Sequence, residues 1–408
     1  MSAEEQSSDE LYLPLAPHFR VDPYPDLHRL RQLQPVYWSP SGYCWVLSRY
    51  NDIKQVLADK RFAIGLDQLM QIEALKPVFA EPYNQIIRTQ LLGSDPPDHT
   101  RIRSVLLKAV SPARLESLRH LSQSVIEELI GQAKAQGGFD LISDFAHPLP
   151  FRIICAILGI PEEERGPLVD WTHALMRPTD PTPLSPAETA WCNASAYGFR
   201  DFFLGMVRRE RAQPSEGFFH ELVAAHDEGR IREDELVANL ILLFCAGHDT
   251  VINLFGNGML ALFRHPRQMQ ILQEDPSLIR GAVEELLRYD TSVAIARRTA
   301  LETVEIGGRV IGRGQYVLCL LNAGNRDPEV FEDPDRLDVR RQNVKPLSFG
   351  GGIHYCLGAQ LARIEGELGI TALLTQLKDL EPETLEPVWK RNVFVRGPEA
   401  LRVTCQQG

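Results

Sequence analysis

The chain has 408 residues, of which 44% are hydrophobic, 24% charged and 8% aromatic. This composition excludes intrinsic disorder, and the length suits one large domain or two to three small ones. Fifty-four acidic against 43 basic residues leave a net charge of −11, which argues against general nucleic-acid binding but leaves room for a local basic patch.

The start, MSAEEQSSDE, is acidic and polar and lacks the charged-then-apolar pattern of a signal peptide. The first twenty residues read as a loose arm ending in the Pro-rich Asp22–Leu30 stretch, and a helix follows with Leu27, Leu30 and Leu33. Pro35 to Tyr50 alternates around a Ser-Pro-Ser-Gly turn and predicts a β-hairpin. Helical periodicity dominates from about residue 51 to 290, as in Leu115, Leu118, Leu121, Val125 and Leu129. Leu236 to Leu262 is apolar on nearly every face, the pattern of a helix in the middle of a large protein. Its longest uninterrupted apolar run, Leu240–Ala246, falls far short of the roughly 18 residues of a membrane span. Short strands with glycine turns return over Val304–Leu321, and the end of the chain is again strand-like. There is no repeat period and no Gly/Ser linker. The expectation is a mainly α chain with small β-sheets (α+β), one domain over 1–408, and β-rich regions near 35–50, 298–321 and 390–405.

The seven cysteines are Cys44, Cys155, Cys192, Cys245, Cys319, Cys356 and Cys405, and no two form a CxxC pair. Neither a zinc ribbon nor a thioredoxin motif is present, and a reducing cytoplasm is the expected setting. The densest local signal surrounds Cys356. Gly350, Gly351 and Gly352 give the backbone freedom for a tight turn, and a helix follows with Leu357, Leu361, Ile364 and Leu368 at helical spacing. A thiol just before a helix N-terminus meets unpaired N–H groups and the positive end of the dipole, which favour thiolate. Gly358 permits close approach of a flat partner or a neighbouring helix. One thiolate with no second cysteine or histidine cluster makes a poor zinc site and a good single axial ligand for an iron porphyrin, which brings four nitrogens of its own. No Lys-Ser/Thr follows the glycines and position 355 is Tyr, so neither phosphate-loop pattern fits.

Phe349-Gly350-x-Gly352-x-His354-x-Cys356-x-Gly358 resembles, at every fixed position, the heme-binding loop of the cytochrome P-450 family. The resemblance implies heme b (iron protoporphyrin IX) sandwiched between a long central helix and the Cys-loop helix. Cys356 would be the axial iron ligand, His354 would lie near a heme propionate, and Phe349 would pack against the sulfur. Glu285-x-x-Arg288 puts an acid and a base on one helix face. The same spacing at Glu116/Arg119 and Glu162/Arg165 reads as surface pairing, but Glu285 and Arg288 precede the Cys loop as the family's ExxR helix does. That family pairs the motif with a later arginine matching Arg336, although Leu337 stands where an aromatic is usual. Ala246-Gly247-His248-Asp249-Thr250 is similar to the family's oxygen-binding helix, with Asp where Glu is common and Val251 where a second Thr often occurs. Gly247 would let heme and oxygen approach, and Asp249 and Thr250 would handle protons. His248 reads as a helix-facing hydrogen-bonder. His99 and Arg103, four residues apart after Pro96-Pro97, and Arg298 match propionate-binding positions, a sensible pairing of cations with two carboxylates. The resemblance spans essentially the whole chain.

The implied enzyme is a bacterial-type heme-thiolate monooxygenase that hydroxylates or epoxidises a lipophilic small molecule, such as a polyketide, terpenoid, steroid or fatty acid. It would use O₂ and two electrons. With no flavin or reductase segment beyond residue 408, those electrons are expected from an external ferredoxin and ferredoxin reductase. Lys108, Arg114, Arg119, Arg341, Lys345 and Arg363 form a candidate docking patch, or an ordinary solvated surface. The substrate pocket is expected to draw on Leu243, Ala246, Val293, Ala294, Ile295 and Phe394, with Ile72–Leu92 and Leu168–Ala196. Arg297 is the candidate partner for a substrate carboxylate, and core packing accounts for the aliphatic residues equally well. A monomer acting in the cytoplasm, with no nucleic-acid or membrane partner, completes the expectation. The rival functions are an H₂O₂-driven peroxygenase and a non-catalytic heme-binding sensor.

Overall fold

A computed structural model describes residues 10–65, 76–180 and 182–406. Its contacts divide the chain into two compact units. The first takes in Met1–Ala63, Asn257–Cys356 and Glu386–Glu399, and the second Ile64–Gly256, Leu357–Leu385 and Ala400–Gly408.

The first unit is built on a five-stranded sheet in the order Val36–Ser39, Cys44–Leu47, Tyr316–Leu320, Ile295–Ala300, Phe62–Ala63. The first two strands are the expected hairpin, and only the pairing of Cys44–Leu47 with Tyr316–Leu320 is parallel. Alternation along each strand sends neighbouring side chains to opposite faces. Val36, Leu47, Val317 and Cys319 therefore join one apolar cluster, with Ile53 and Val56 of the helix Tyr50–Ala58. Tyr37, Val46 and Leu320 join another, with Leu27 and Leu30 of the helix Tyr24–Leu33. The described part of the N-terminal arm is not loose. Tyr12 and Phe19 are buried in that second cluster with their rings edge-to-face at 5.8 Å, and the Ser39 and Ser41 hydroxyls donate to the Glu10 carboxylate. The acidic start itself, residues 1–9, lies outside the described residues.

The second unit is mainly helical. Its longest helices are Pro112–Gln136, Pro186–Ala212 and Ala359–Gln376, together with most of the core helix Glu233–Arg264. Helix ends follow local chemistry. Ser185 and Glu188 form a reciprocal capping box at the start of Pro186–Ala212, and Gly137, at φ 72°, ends Pro112–Gln136. The core helix is long and apolar enough to cross a membrane, but two-thirds of its most apolar window is buried in protein (67%). Leu236, Leu240 and Phe244 on it belong to the unit's main apolar cluster. Just past the middle of Ala359–Gln376, a Cβ on Gly369 would lie 2.5 Å from the Phe255 ring, so the missing side chain is what lets these two helices meet. The strand-like C-terminus divides. Val395 bridges Val293 in the first unit, whereas Arg402–Thr404 pairs with Gly138–Asp140 and Glu381–Pro382 in the second.

Candidate active site: a thiolate loop and an acid–alcohol helix

Cys356 is the one exposed cysteine among seven, and the other six are buried. Its loop is pinned at both ends. The Cys356 N–H donates to the Phe349 carbonyl at 2.9 Å, and the Gly350 N–H donates to Leu347 at 2.7 Å. Gly352, at φ 64°, presses on the last turn of Tyr50–Ala58, where a Cβ would collide with the Leu57 carbonyl. Glycine is therefore required there by backbone contact, a reason the motif alone does not supply. Upstream, the buried Asn325 side chain accepts the Leu347 N–H at 2.7 Å and donates to the Ser348 hydroxyl at 3.0 Å. Ser348 in turn donates to the Leu287 carbonyl at 2.7 Å, fixing the loop to the helix Ile279–Tyr289. Asn325 and Ser348 were missed by sequence reasoning. A polar amide after an apolar strand was the available signal.

That helix carries Glu285 and Arg288, both 0% exposed and paired through two hydrogen bonds of 2.7 and 2.8 Å. Arg288 also donates to the Asn325 carbonyl at 2.9 Å, so the ion pair and the thiolate loop share one anchor. The expected third member requires correction. The Arg336 side chain is 64% exposed and bonds Asp338, and Arg336 contributes only its carbonyl, which accepts from Arg288. The second arginine on Glu285 is Arg341, 13% exposed, at 3.2 Å. Its other donors are held by the carbonyls of Glu332, Asp333 and Arg336. Arg341 therefore also leaves the candidate docking patch, because its charge is turned inward on a buried carboxylate that needs compensation.

In the second unit, the core helix has one uncovered stripe. Ala246 is exposed and Leu243, Gly247 and Thr250 are half-buried, whereas Leu240, Phe244, Cys245, His248 and Val251 are buried. The i, i+3, i+4, i+7 spacing places the open residues on a single face. Thr250 Oγ1 donates to the Ala246 carbonyl at 3.0 Å, so the hydroxyl proton is engaged by its own helix and the oxygen lone pairs face outward. Asp249 is half-buried beside it.

The cationic candidates divide between the units. His99 is buried on the helix Asp98–Leu106, with Arg103 one turn on; Arg298 is buried in the strand Ile295–Ala300 of the first unit, with His354 in the Cys loop. Among the apolar candidates, Ala294 bonds the Phe394 carbonyl through its N–H at 2.8 Å, which brings Val293, Ala294 and Phe394 together. Ala294 and Ile295 are themselves buried in the first unit's core. Leu243 lies in the other unit, and Ile72 falls outside the described residues.

The donor set fits a heme. It offers a single exposed thiol at a glycine-lined turn, and no group of three or more His, Cys, Asp or Glu able to hold a bare metal ion exists among the described residues. A Cβ on Gly358 would meet nothing within 4 Å, which leaves room for a flat ring beside the loop. Comparison with known proteins agrees. The cytochrome P450 family model matches residues 37–404. The polyketide biosynthesis cytochrome P450 PksS of Bacillus subtilis is 33% identical over 97% of this chain and 99% of its own. Cytochrome P450 monooxygenase PikC of Streptomyces venezuelae is 36% identical over 97% and 94%. Among solved structures, P450BioI in complex with an acyl carrier protein bearing hexadec-9Z-enoic acid superposes with a TM-score of 0.88 at 31% identity, covering 95% of this chain and 99% of that one. The chain belongs to the cytochrome P450 family. It is a heme-dependent monooxygenase with the α+β fold of that family.

Proposed function

We propose that the two units work as one heme domain that oxygenates a polyketide-class or similarly lipophilic secondary metabolite. The observation that carries this reading is the uncovered stripe Leu243–Ala246–Gly247–Thr250 on a helix that is mostly buried and largely apolar. A substrate resting there meets aliphatic side chains and one hydroxyl, the lining of a site for a lipophilic guest. PksS, named for polyketide biosynthesis, favours the polyketide class, and the carrier-bound acyl chain on P450BioI makes a carrier-tethered substrate a second form to test.

When bound, the heme supplies reductive activation of O₂ and delivery of one oxygen atom to the substrate. The protein's residues supply the rest. Cys356 would hold the heme iron through its thiolate, its loop fixed by the Phe349 carbonyl and the Asn325–Ser348 anchor. His99, Arg103, Arg298 and His354 would supply cationic partners for the heme propionates. Thr250, its proton committed to Ala246, accepts a hydrogen bond at the open face, and Asp249 brings the protons that the reaction consumes. Electrons come from an external ferredoxin and its reductase. A cytoplasmic setting suits seven cysteines of which none forms a disulfide.

The test is a screen of macrolactones, linear polyketides, terpenoids, steroids and fatty acids, free and carrier-linked, for the heme absorption shift on substrate binding. Hits are then assayed for product with a ferredoxin pair. Oxygenated product from the polyketide class supports the proposal; turnover confined to another class overturns the substrate assignment, and turnover with peroxide alone overturns the electron route. Thr250→Ala should leave binding within about twofold while diverting most electrons to hydrogen peroxide; tight coupling in that variant would remove the assigned role.

A further inference from the structure

His248 precedes Asp249 on the core helix, yet its side chain is 0% exposed. Burying an imidazole among apolar groups is unfavourable unless polar neighbours offset it, so its immediate surroundings matter. Its Nδ1 lies 3.9 Å from Asp249 Oδ1, within ion-pair reach but beyond hydrogen-bond distance. The ring also meets that of His147 at 4.4 Å between centroids, edge to face at 87°. Phe151 stacks on His147 at 5.9 Å and packs against His248 at 5.8 Å, and Phe244 packs edge-on to Phe151.

His147 reaches this position by an irregular piece of backbone. A single π-helical turn, Leu141–Ala146, precedes it, and its N–H donates to Ile142 at 2.8 Å. Such a turn re-aims the following side chain by inserting an extra residue into the helical register. His147 is half-buried, so the ring pair runs from the edge of its unit to the acid on the core helix.

We propose that His248 is a positioning residue for the Asp249 carboxylate, with His147 and Phe151 clamping its ring. The proposal rests on the monooxygenase reading, because it assigns what orients the proton-handling acid of that site. Turned toward His248, the carboxylate is held by attraction to the imidazole N–H; released, it is available to the open face beside Thr250. The Asp249 rotamer is then set by a histidine pair within one unit.

The test uses the reduced, CO-bound holoenzyme, which is diamagnetic, with ¹⁵N-labelled imidazoles assigned through His248→Phe and His147→Phe. Asp249→Asn should shift the His248 Nδ1 resonance by many linewidths. His248→Phe, which keeps an aromatic ring in the box, should raise peroxide released per NADPH several-fold with a compound taken from the binding screen. His248→Asn, which restores a donor near the Nδ1 position, should recover most of the coupling. An unmoved His248 resonance in Asp249→Asn, or an unchanged peroxide share in His248→Phe, overturns the proposal. Failure of the monooxygenase reading shows separately, as loss of the thiolate-dependent CO band in the unmodified protein.

Discussion

Burial sorts the cysteines more sharply than sequence context does. It pushes the Cys44 and Cys155 thiols up to about 11 and those of Cys245 and Cys319 to about 12, so these groups stay neutral and unreactive. Cys356 alone is exposed and is the cysteine proposed to hold the iron. The same physics produces an outlier among the acids. Glu365, on the Cys-loop helix, is buried with no hydrogen-bond partner for Oε2 among the described residues, and burial raises its carboxyl to about 8. A raised acid pKa means that the native state binds the proton more tightly than the unfolded chain does. The favourable contribution is complete below the unfolded value near 4.5 and is lost as pH rises through about 8. Glu365→Gln should therefore gain stability over the unmodified enzyme across that window, by up to a few kcal/mol, then level off. Thermal melts from pH 5 to 9 check this, and a pH-independent difference would contradict it.

At the scale of elements, the thiolate loop is held by the buried ion cluster through Asn325. Arg341→Ala leaves Glu285 with half of its compensation and should cost about 3–5 kcal/mol, with reduced heme retention. Arg336→Ala removes an exposed side chain and should stay within about 0.5 kcal/mol. Equal losses in denaturant titrations of the two variants would restore Arg336 to the cluster. The error in the sequence reading has a physical origin. Periodicity placed Glu285 and Arg288 on one helix face because their spacing is local. The partner comes from an irregular segment, where Arg336, Arg340 and Arg341 all lie within reach and only the fold decides which turns inward. The hairpin, the core helix and the Cys-loop helix were legible because each has its own pattern. The two-faced sheet was not, since its central strands come from residues about 250 apart in sequence. Nor was the π-helical turn before His147, which has no sequence period to announce it.

For the whole molecule, the net charge of −11 hides the local distribution. Of the candidate docking cations, Arg114 is paired with Glu221 at 2.8 Å, Arg119 faces Glu367 at 3.9 Å and Arg341 is committed to Glu285. Arg363 is half-buried, and Lys108 and Lys345 are exposed. On the proposed ferredoxin route these exposed lysines attract an acidic partner, and reduction should slow several-fold as salt rises from low ionic strength toward 0.5 M. Lys108→Glu and Lys345→Glu should each slow it at low salt. Stopped-flow rates independent of salt would exclude electrostatic docking there. The account as a whole depends on Cys356 ligating iron. The most direct measurement is the absorption spectrum of the reduced, CO-bound enzyme beside that of Cys356→Ser. The account predicts the thiolate-dependent band in the unmodified protein and its loss in the variant. An unchanged band in Cys356→Ser would contradict it.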